Sequence, residues 1–336
     1  MKPLAFTLLL LLLIAPAYAH EIYVLNQTAI DEGLAAPGTN PLTIIGEHIG
    51  SFALWASIGA AVVLLLILLS ASRMLQRKTG PFLMWLKRYA PLAARITLGV
   101  CMIFNGFYGA LFGPELPLVD IFGSAAQLWS ILFVISGILI TIGLFARYAS
   151  IVPLIAFLAM FVQYGTYSLT YINYLGEIVL VMILGSGAYS VDSRIFKQKE
   201  SRLEEWAFPT LRVLFGISLI YASVYAKLIF SNLALSTVVE YGLDQYFPFD
   251  PMFIVLGAMI VEIILGVFYI IGVDIRFTSV FLMTFLTMSL VFFGETVWPH
   301  YVIYGVAIAL LLHGYDKYTL ESWLFKRWRM RGEPAF

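Results

Sequence analysis

Charged residues are scarce in this chain. Asp, Glu, Lys and Arg make up 12% of its 336 residues against 61% hydrophobic ones, and the mean hydropathy is +0.91. Soluble domains carry about 25% charged residues, so a water-soluble globule is excluded and the lipid bilayer becomes the first partner to consider. Cysteine is nearly absent. Cys101 stands alone, which excludes an internal disulfide, a Cys-x-x-Cys redox pair and a cysteine-based zinc or iron–sulfur centre. No Walker loop, dinucleotide fingerprint, zinc-protease helix or Ser-His-Asp order occurs at a plausible position. The basic residues are dispersed among chain segments rather than gathered into one patch, so nucleic acid is not an expected partner.

What the sequence does have is a succession of long apolar runs. The first belongs to a signal peptide over residues 1–19: Lys2 supplies the charged start, Leu8 to Ile14 the apolar stretch and Ala17-Tyr18-Ala19 the small-x-small cleavage pattern. The mature chain is then expected to begin at His20. Residues 20–47 are polar and turn-rich and read as an external tail. Beyond them, about nine spans are predicted, at 49–72, 91–112, 126–146, 149–166, 171–190, 208–230, 252–273, 277–294 and 299–314, each near the length needed to cross ~30 Å of hydrocarbon. The fold class is therefore an all-α, polytopic transmembrane helical bundle.

Charge gives the bundle an orientation. With His20 placed outside, the alternating inner segments collect Arg73, Arg77, Lys78, Lys87, Arg88, Arg95, Arg147, Arg194, Lys197, Lys199, Arg202, Arg212, Arg276, Lys317, Lys326, Arg327, Arg329 and Arg331, while the outer loops hold no Lys or Arg. The acids Glu115, Asp120, Glu240, Asp244, Asp250 and Glu295 fall on the outer side. This asymmetry predicts a multi-pass protein of a bacterial inner membrane with its mature N-terminus outside and its C-terminus, including a basic tail at 317–336, in the cytoplasm. Residues 75–91 and 323–331 mix basic with aromatic and aliphatic side chains and are expected to lie as short helices along the cytoplasmic surface.

The spans repeat. Arg95 and Gly99 match Arg212 and Gly216 at an offset of 117, and Tyr108 falls on Tyr225. Gly137, Gly143, Arg147 and Gly185 match Gly266, Gly272, Arg276 and Gly314 at an offset of 129. A longer outer loop after the sixth span accounts for the change of offset. The organisation expected is residues 20–90 holding the tail, the first helix and the surface segment, then two four-helix copies at 91–191 and 208–316. An even number of spans per copy makes the copies parallel. The shared glycines suit close helix packing and the shared arginines suit anchoring at the inner face.

The Arg-x-x-x-Gly that opens each copy (Arg95 and Gly99; Arg212 and Gly216) and the Gly-x5-Gly-x3-Arg that closes its second helix (Gly137, Gly143, Arg147; Gly266, Gly272, Arg276) resemble the DoxX-like family of four-helix membrane proteins. The resemblance covers about 91–191 and 208–316. It implies a membrane subunit supporting a quinone-linked oxidoreductase such as thiosulfate:quinone oxidoreductase, with quinone as cofactor and a soluble redox subunit as partner. It carries no catalytic residues across.

Ionisable groups inside the spans are few, and each is a functional candidate. Glu262 lies near the midplane and Glu177 in the outer leaflet. Both are candidates either for proton carriage and quinone hydrogen bonding, or for structural acids that bond a neighbouring helix. Their counterparts in the other copy are Phe133 and Val306. By helix rise, Lys227 sits high in its span and is expected to turn outward to Glu240, Asp244 or Glu295 rather than pair with Glu262. Asn105 and Gln163 read as interhelical hydrogen-bond partners. His313 falls at the inner end of the last span. His48 and His300 fall at the outer surface, where facing imidazoles would suit a haem. The α-amino nitrogen and ring of a mature N-terminal His20, with His48 added, would suit copper. The readings that compete with the redox subunit are a proton-coupled transporter of a small solute using Glu177 and Glu262, a copper-handling membrane protein, and an assembly scaffold.

Overall fold

The computed structural model describes residues 24–35, 39–187, 189–195, 203–246, 250–294 and 298–328. The signal peptide, its cleavage site and His20 lie outside them. Every regular element among the described residues is helical. Nine helices form the body: α1 (Phe52–Leu86), α2 (Ala90–Tyr108), α3 (Ala126–Ile142), α4 (Ile151–Tyr164), α5 (Ile172–Leu184), α6 (Glu204–Val224), α7 (Pro251–Ile271), α8 (Ile275–Phe293) and α9 (Pro299–His313). Among the described residues, seven stretches are long and apolar enough to cross a membrane, and α9 is a shorter apolar helix. One of the seven, Ala146–Leu184, folds back on itself as α4 and α5. Arg147 near its start donates to the Ile183 carbonyl near its end at 2.8 Å, which closes the hairpin. The chain is a multi-pass membrane protein whose exposed apolar side chains face lipid.

We call α2–α5, in chain order, the first group and α6–α9 the second. Within the groups α2 packs on α3, and α6 on α7; between them α5 packs on α6, and α9 on α2. The α2–α3 and α6–α7 crossings are made by glycine. A Cβ on Gly99 would stand 2.8 Å from the Gly137 carbonyl oxygen, and one on Gly216 would stand 2.5 Å from that of Gly266. Only residues without a side chain let the backbones come so near, which is how helices associate where water does not drive them together. Gly143 and Gly272 end α3 and α7 with φ of +71° and +72°, the left-handed cap that stops a helix cleanly. Two residues later Phe145 and Asp274 both hold positive φ, at 49° and 36°.

Of the matched arginines, Arg95 and Arg212 turn inward instead of to headgroups. Arg95 and Arg212 are buried, 3% and 2% exposed. Arg95 donates to the Ser186 carbonyl and, at 2.8 Å, to that of Tyr189. Arg212 donates to the Tyr269 carbonyl and, at 2.8 Å, to that of Ile270, and pairs with Asp316 at 3.3 Å. Helix ends leave carbonyls without intrahelical donors, and a guanidinium supplies five N–H groups in a fixed fork. Inside the bundle, satisfying those carbonyls outweighs reaching for the surface.

Two further expectations change. The segment from Leu75 onward is not a separate surface helix: α1 runs unbroken through it to Leu86 with Pro81 inside, and breaks only at the 3-10 turn Lys87–Tyr89. Nothing between Ser70 and Thr79 interrupts helical bonding, and at ~1.5 Å per residue the helix outruns the hydrocarbon. A terminal helix does form, as Leu320–Trp328, with residues 329–331 outside the described ones. The tail expected to be external is not free. Its helix Gln27–Ala35 packs on the helix Ser231–Glu240, where Ser231 donates to the Thr39 carbonyl at 2.6 Å and Tyr241 to that of Val24 at 3.1 Å. Ile44 joins Ala234, Val238, Met252 and Val255 in one apolar cluster. We call this the acidic end of the bundle, and the opposite end, with Arg147, Arg276 and Lys317, the basic end.

Candidate functional site

The second group holds a cavity of 130 Å³ between the end of α6, α7, α8 and the helix Ser231–Glu240. Lys227, Glu262, Thr237 and Ser289 supply its polar lining; Val255, Ala258, Phe285 and Phe293 are among its apolar walls, and Val24 of the N-terminal segment lines it too. Where α6 ends, the chain makes one turn of π-helix, Tyr225–Ile229. A π-turn inserts a residue into the helical register and re-aims the side chains within it. Lys227 is at the middle of that turn.

Lys227 Nζ stands 3.1 Å from Glu262 Oε2, with the two side chains 9% and 18% exposed. This overturns the expectation that the lysine does not pair with Glu262; Glu295, one of the outer acids expected in its place, lies outside the described residues. Counting rise alone placed the two residues at different depths, but side chains on a helix lean toward its N-terminus. α6 and α7 run antiparallel, with Ser223 donating to the Met259 carbonyl at 3.2 Å. Lys227 therefore leans into the bundle and Glu262 leans out toward it, and the two close the gap. An ion pair this enclosed contributes little net stability, because desolvation offsets the attraction. Its value is as a paired donor and acceptor within an apolar wall.

Glu177 is elsewhere. It is fully buried where α5 meets α2, its Oε1 accepting from Thr97 at 3.1 Å while Oε2 has no hydrogen-bond partner. It is not among the walls of the cavity, so the two candidate acids occupy separate sites.

The histidines are dispersed. His48 is exposed, edge-on to Phe253 with centroids 5.1 Å apart, its Nδ1 3.1 Å from the Ile44 carbonyl oxygen. His300 is buried at the start of α9, beside Trp298, whose indole donates to Asn105 at 2.7 Å. His313 stacks on Phe208. Among the described residues no three His, Cys, Asp or Glu side chains gather as a metal site. Asn105 thus acts as the expected interhelical partner; Gln163 is exposed on α4.

Sequence reasoning passed over a polar cluster at the basic end. Asp274, in the turn between α7 and α8, accepts from Gln76, from Ser72 at 3.3 Å and from Tyr315 at 3.4 Å. Arg73 pairs with Glu321 at 2.9 Å. Burial pushes the carboxyls of Asp274 and Glu321 above the usual carboxylate range, with the Gln76 bond opposing it at Asp274 and the Tyr315 bond at Glu321. The cluster ties α1 to the second group. Its signal, a polar Ser72–Gln76 pair one turn apart in an apolar helix, was present but pointed to no partner.

No protein-family model, no curated protein and no solved structure matches the chain. Function has to be argued from the site itself. The cavity offers a cation and an anion side by side among aliphatic and aromatic carbon. That suits a small, flat, uncharged molecule with oxygen at its edge.

Proposed function

We propose that this protein is a membrane subunit of a quinone-linked redox system, and that the Lys227–Glu262 cavity receives the head of a lipid-soluble quinone. The observation that carries the reading is the ion pair at the floor of an apolar cavity. A cavity of ~150 Å³ takes up benzene, so 130 Å³ matches one six-membered ring with its tail left in lipid. The Lys227 ammonium would donate to a carbonyl oxygen of the oxidised ring, and the Glu262 carboxylate would accept from a hydroxyl of the reduced one. Phe285 and Phe293 would cover its faces. A quinone, when bound, takes up two electrons and two protons; the electrons would come from a soluble subunit.

The resemblance of the Arg95–Gly99 and Arg212–Gly216 motifs to the DoxX-like family supports the same reading. With it goes the proposal that the two groups of helices are parallel copies. The distribution of Lys and Arg supports an inner-membrane protein with the acidic end outside and the basic end in the cytoplasm, which would put the cavity in the outer leaflet.

The test is to titrate the full-length protein in mild detergent with a short-tailed benzoquinone and to identify co-purifying quinone and protein. Saturable binding is expected, weakened about tenfold or more by Lys227→Met or Glu262→Gln, the equivalent of one charge-assisted hydrogen bond. Binding unchanged by either substitution would sink the proposal. If no quinone binds and Glu262→Gln abolishes proton-coupled solute uptake in vesicles, the transporter reading takes its place.

A further inference from the structure

Besides the ion pair, two hydroxyls line the cavity: Thr237 of the helix Ser231–Glu240 and Ser289 of α8. They are not equivalent. Thr237 donates to the Leu233 carbonyl at 3.1 Å, so its proton is committed. The Ser289 hydroxyl makes no hydrogen bond among the described residues. In an apolar helix a serine or threonine commonly bonds the carbonyl four residues back, and on α8 Thr278, Thr284 and Thr287 do so at 3.0, 2.9 and 2.6 Å. Ser289 alone among these keeps its proton for the space that it faces.

The cavity therefore has two polar ends. Phe285, Ser289 and Phe293 follow one another at four-residue spacing and share the face of α8 that lines it. α7 and α8 run antiparallel from the turn at Gly272–Asp274. Counted from that turn by helix rise, Ser289 lies further along α8 than Glu262 does along α7, by ~7 Å toward the acidic end. The ion pair is one pole and Ser289 the other. A ligand oxygen set against the apolar wall between them, with no donor in reach, would lose the bonds it makes in water.

Building on the quinone reading of the cavity, we propose that Ser289 bonds the second oxygen of the ligand and so selects rings that carry two oxygens on opposite carbons. An oxygen para to the one at Lys227 points across the ring, away from the ion pair, whereas an ortho oxygen stays beside it. Only the first extends toward Ser289. A hydroxyl both donates and accepts. Ser289 donates to the second carbonyl of the oxidised ring and accepts from the second hydroxyl of the reduced one. Thr237, its proton already given to Leu233, can only accept, so it assists with the reduced ring alone.

The test compares two probes on the full-length protein in mild detergent: a short-tailed 1,4-benzoquinone, and a cyclohexenone with the same tail, which lacks the second oxygen. Ser289→Ala should weaken quinone binding about fivefold, the worth of one neutral hydrogen bond, and leave the cyclohexenone unchanged. Ser289→Thr, which keeps the hydroxyl, should keep the preference for the quinone. In the infrared spectrum of the bound quinone the two carbonyl stretches should separate, with Ser289→Ala shifting one and Lys227→Met the other. Equal weakening of both probes by Ser289→Ala would overturn the inference, because Ser289 would then only shape the cavity. Quinone binding that ignores Ser289 yet still depends on Lys227 and Glu262 would also overturn it, while leaving the reading of the cavity intact. Quinone binding indifferent to all three residues would remove both.

Discussion

In the first group of helices the ring of Phe133 is fully buried against Phe112 and Trp129, and Phe112 in turn packs on Phe157 and Tyr174. At the matched position of the second group stands Glu262, paired to Lys227 beside a cavity. Several helix contacts of the two groups are alike: Gly99 on Gly137 and Gly216 on Gly266, Arg95 and Arg212 on carbonyls, Arg147 on Ile183 and Arg276 on Leu311. These contacts hold helices together, and they are kept alike. The interior decides whether a group is a filled support or a receptacle, and there the groups part. The first carries aromatic carbon and a solitary acid at its outer edge with the other group; the second carries an ion pair and space.

The hardest way to break this contrast is to exchange the two matched residues. Phe133→Glu removes a buried ring and installs an acid with no cation near, at an expected cost of ~4 kcal/mol or more, read from unfolding in detergent. Glu262→Phe combined with Lys227→Ala should stay within ~1 kcal/mol of the parent, since a buried pair replaced by apolar groups of fitting volume is close to neutral, while quinone binding disappears. Equal costs for the two exchanges would show that the groups do not differ in kind. Next in size is Lys227→Met alone. It strands Glu262 and should cost ~2–3 kcal/mol, below the range for fully enclosed pairs because Glu262 is not fully enclosed. Adding Glu262→Gln should recover most of the loss, and a double-mutant cycle that shows no coupling would refute the pairing.

The glycine crossings were legible in the sequence because small residues at fixed spacing answer to one backbone requirement; the arginines stood out by the same spacing, but their role at carbonyls did not. The helical fold was legible for the same reason: apolar length has one meaning in a membrane. The interior was only half legible. Glu262 and Glu177 stood out as acids in apolar runs, but whether Lys227 meets Glu262 depends on the lean of side chains in antiparallel helices and on a π-turn, neither of which is written in composition. Asp274 looked like any turn residue until α1 was placed against it.

A smaller effect separates the turns at the basic end. Phe145 and Asp274 share the left-handed conformation, but Phe145 is held by Asp192, which accepts from its amide at 3.0 Å, whereas Asp274 is itself the buried acid. With Glu321 it holds its proton more tightly folded than unfolded. Below the unfolded carboxylate range both states are protonated and stability does not change with pH. As pH rises from that range through the raised folded values, the folded state binds more protons than the unfolded one, so stability falls. Thermal unfolding should therefore show a decline beginning near ordinary carboxylate pH, and Asp274→Asn should flatten it. A slope unchanged by Asp274→Asn and by Glu321→Gln would remove the cluster from the account.

The smallest effect belongs to a second Lys–Glu pair in the same group. Lys317 and Glu205 meet at the basic end with both side chains about half exposed, 51% each. Solvent screens such a pair, and the entropy lost in ordering two long side chains offsets the attraction that is left. Glu205→Gln should leave the melting temperature unchanged within error at ordinary ionic strength. Lys227 and Glu262 carry the same two charges, so the contrast between the pairs isolates surroundings from charge. If removing one partner from the exposed pair proved as damaging as removing one from the enclosed pair, burial could not be what makes the interior of the second group chemically distinct.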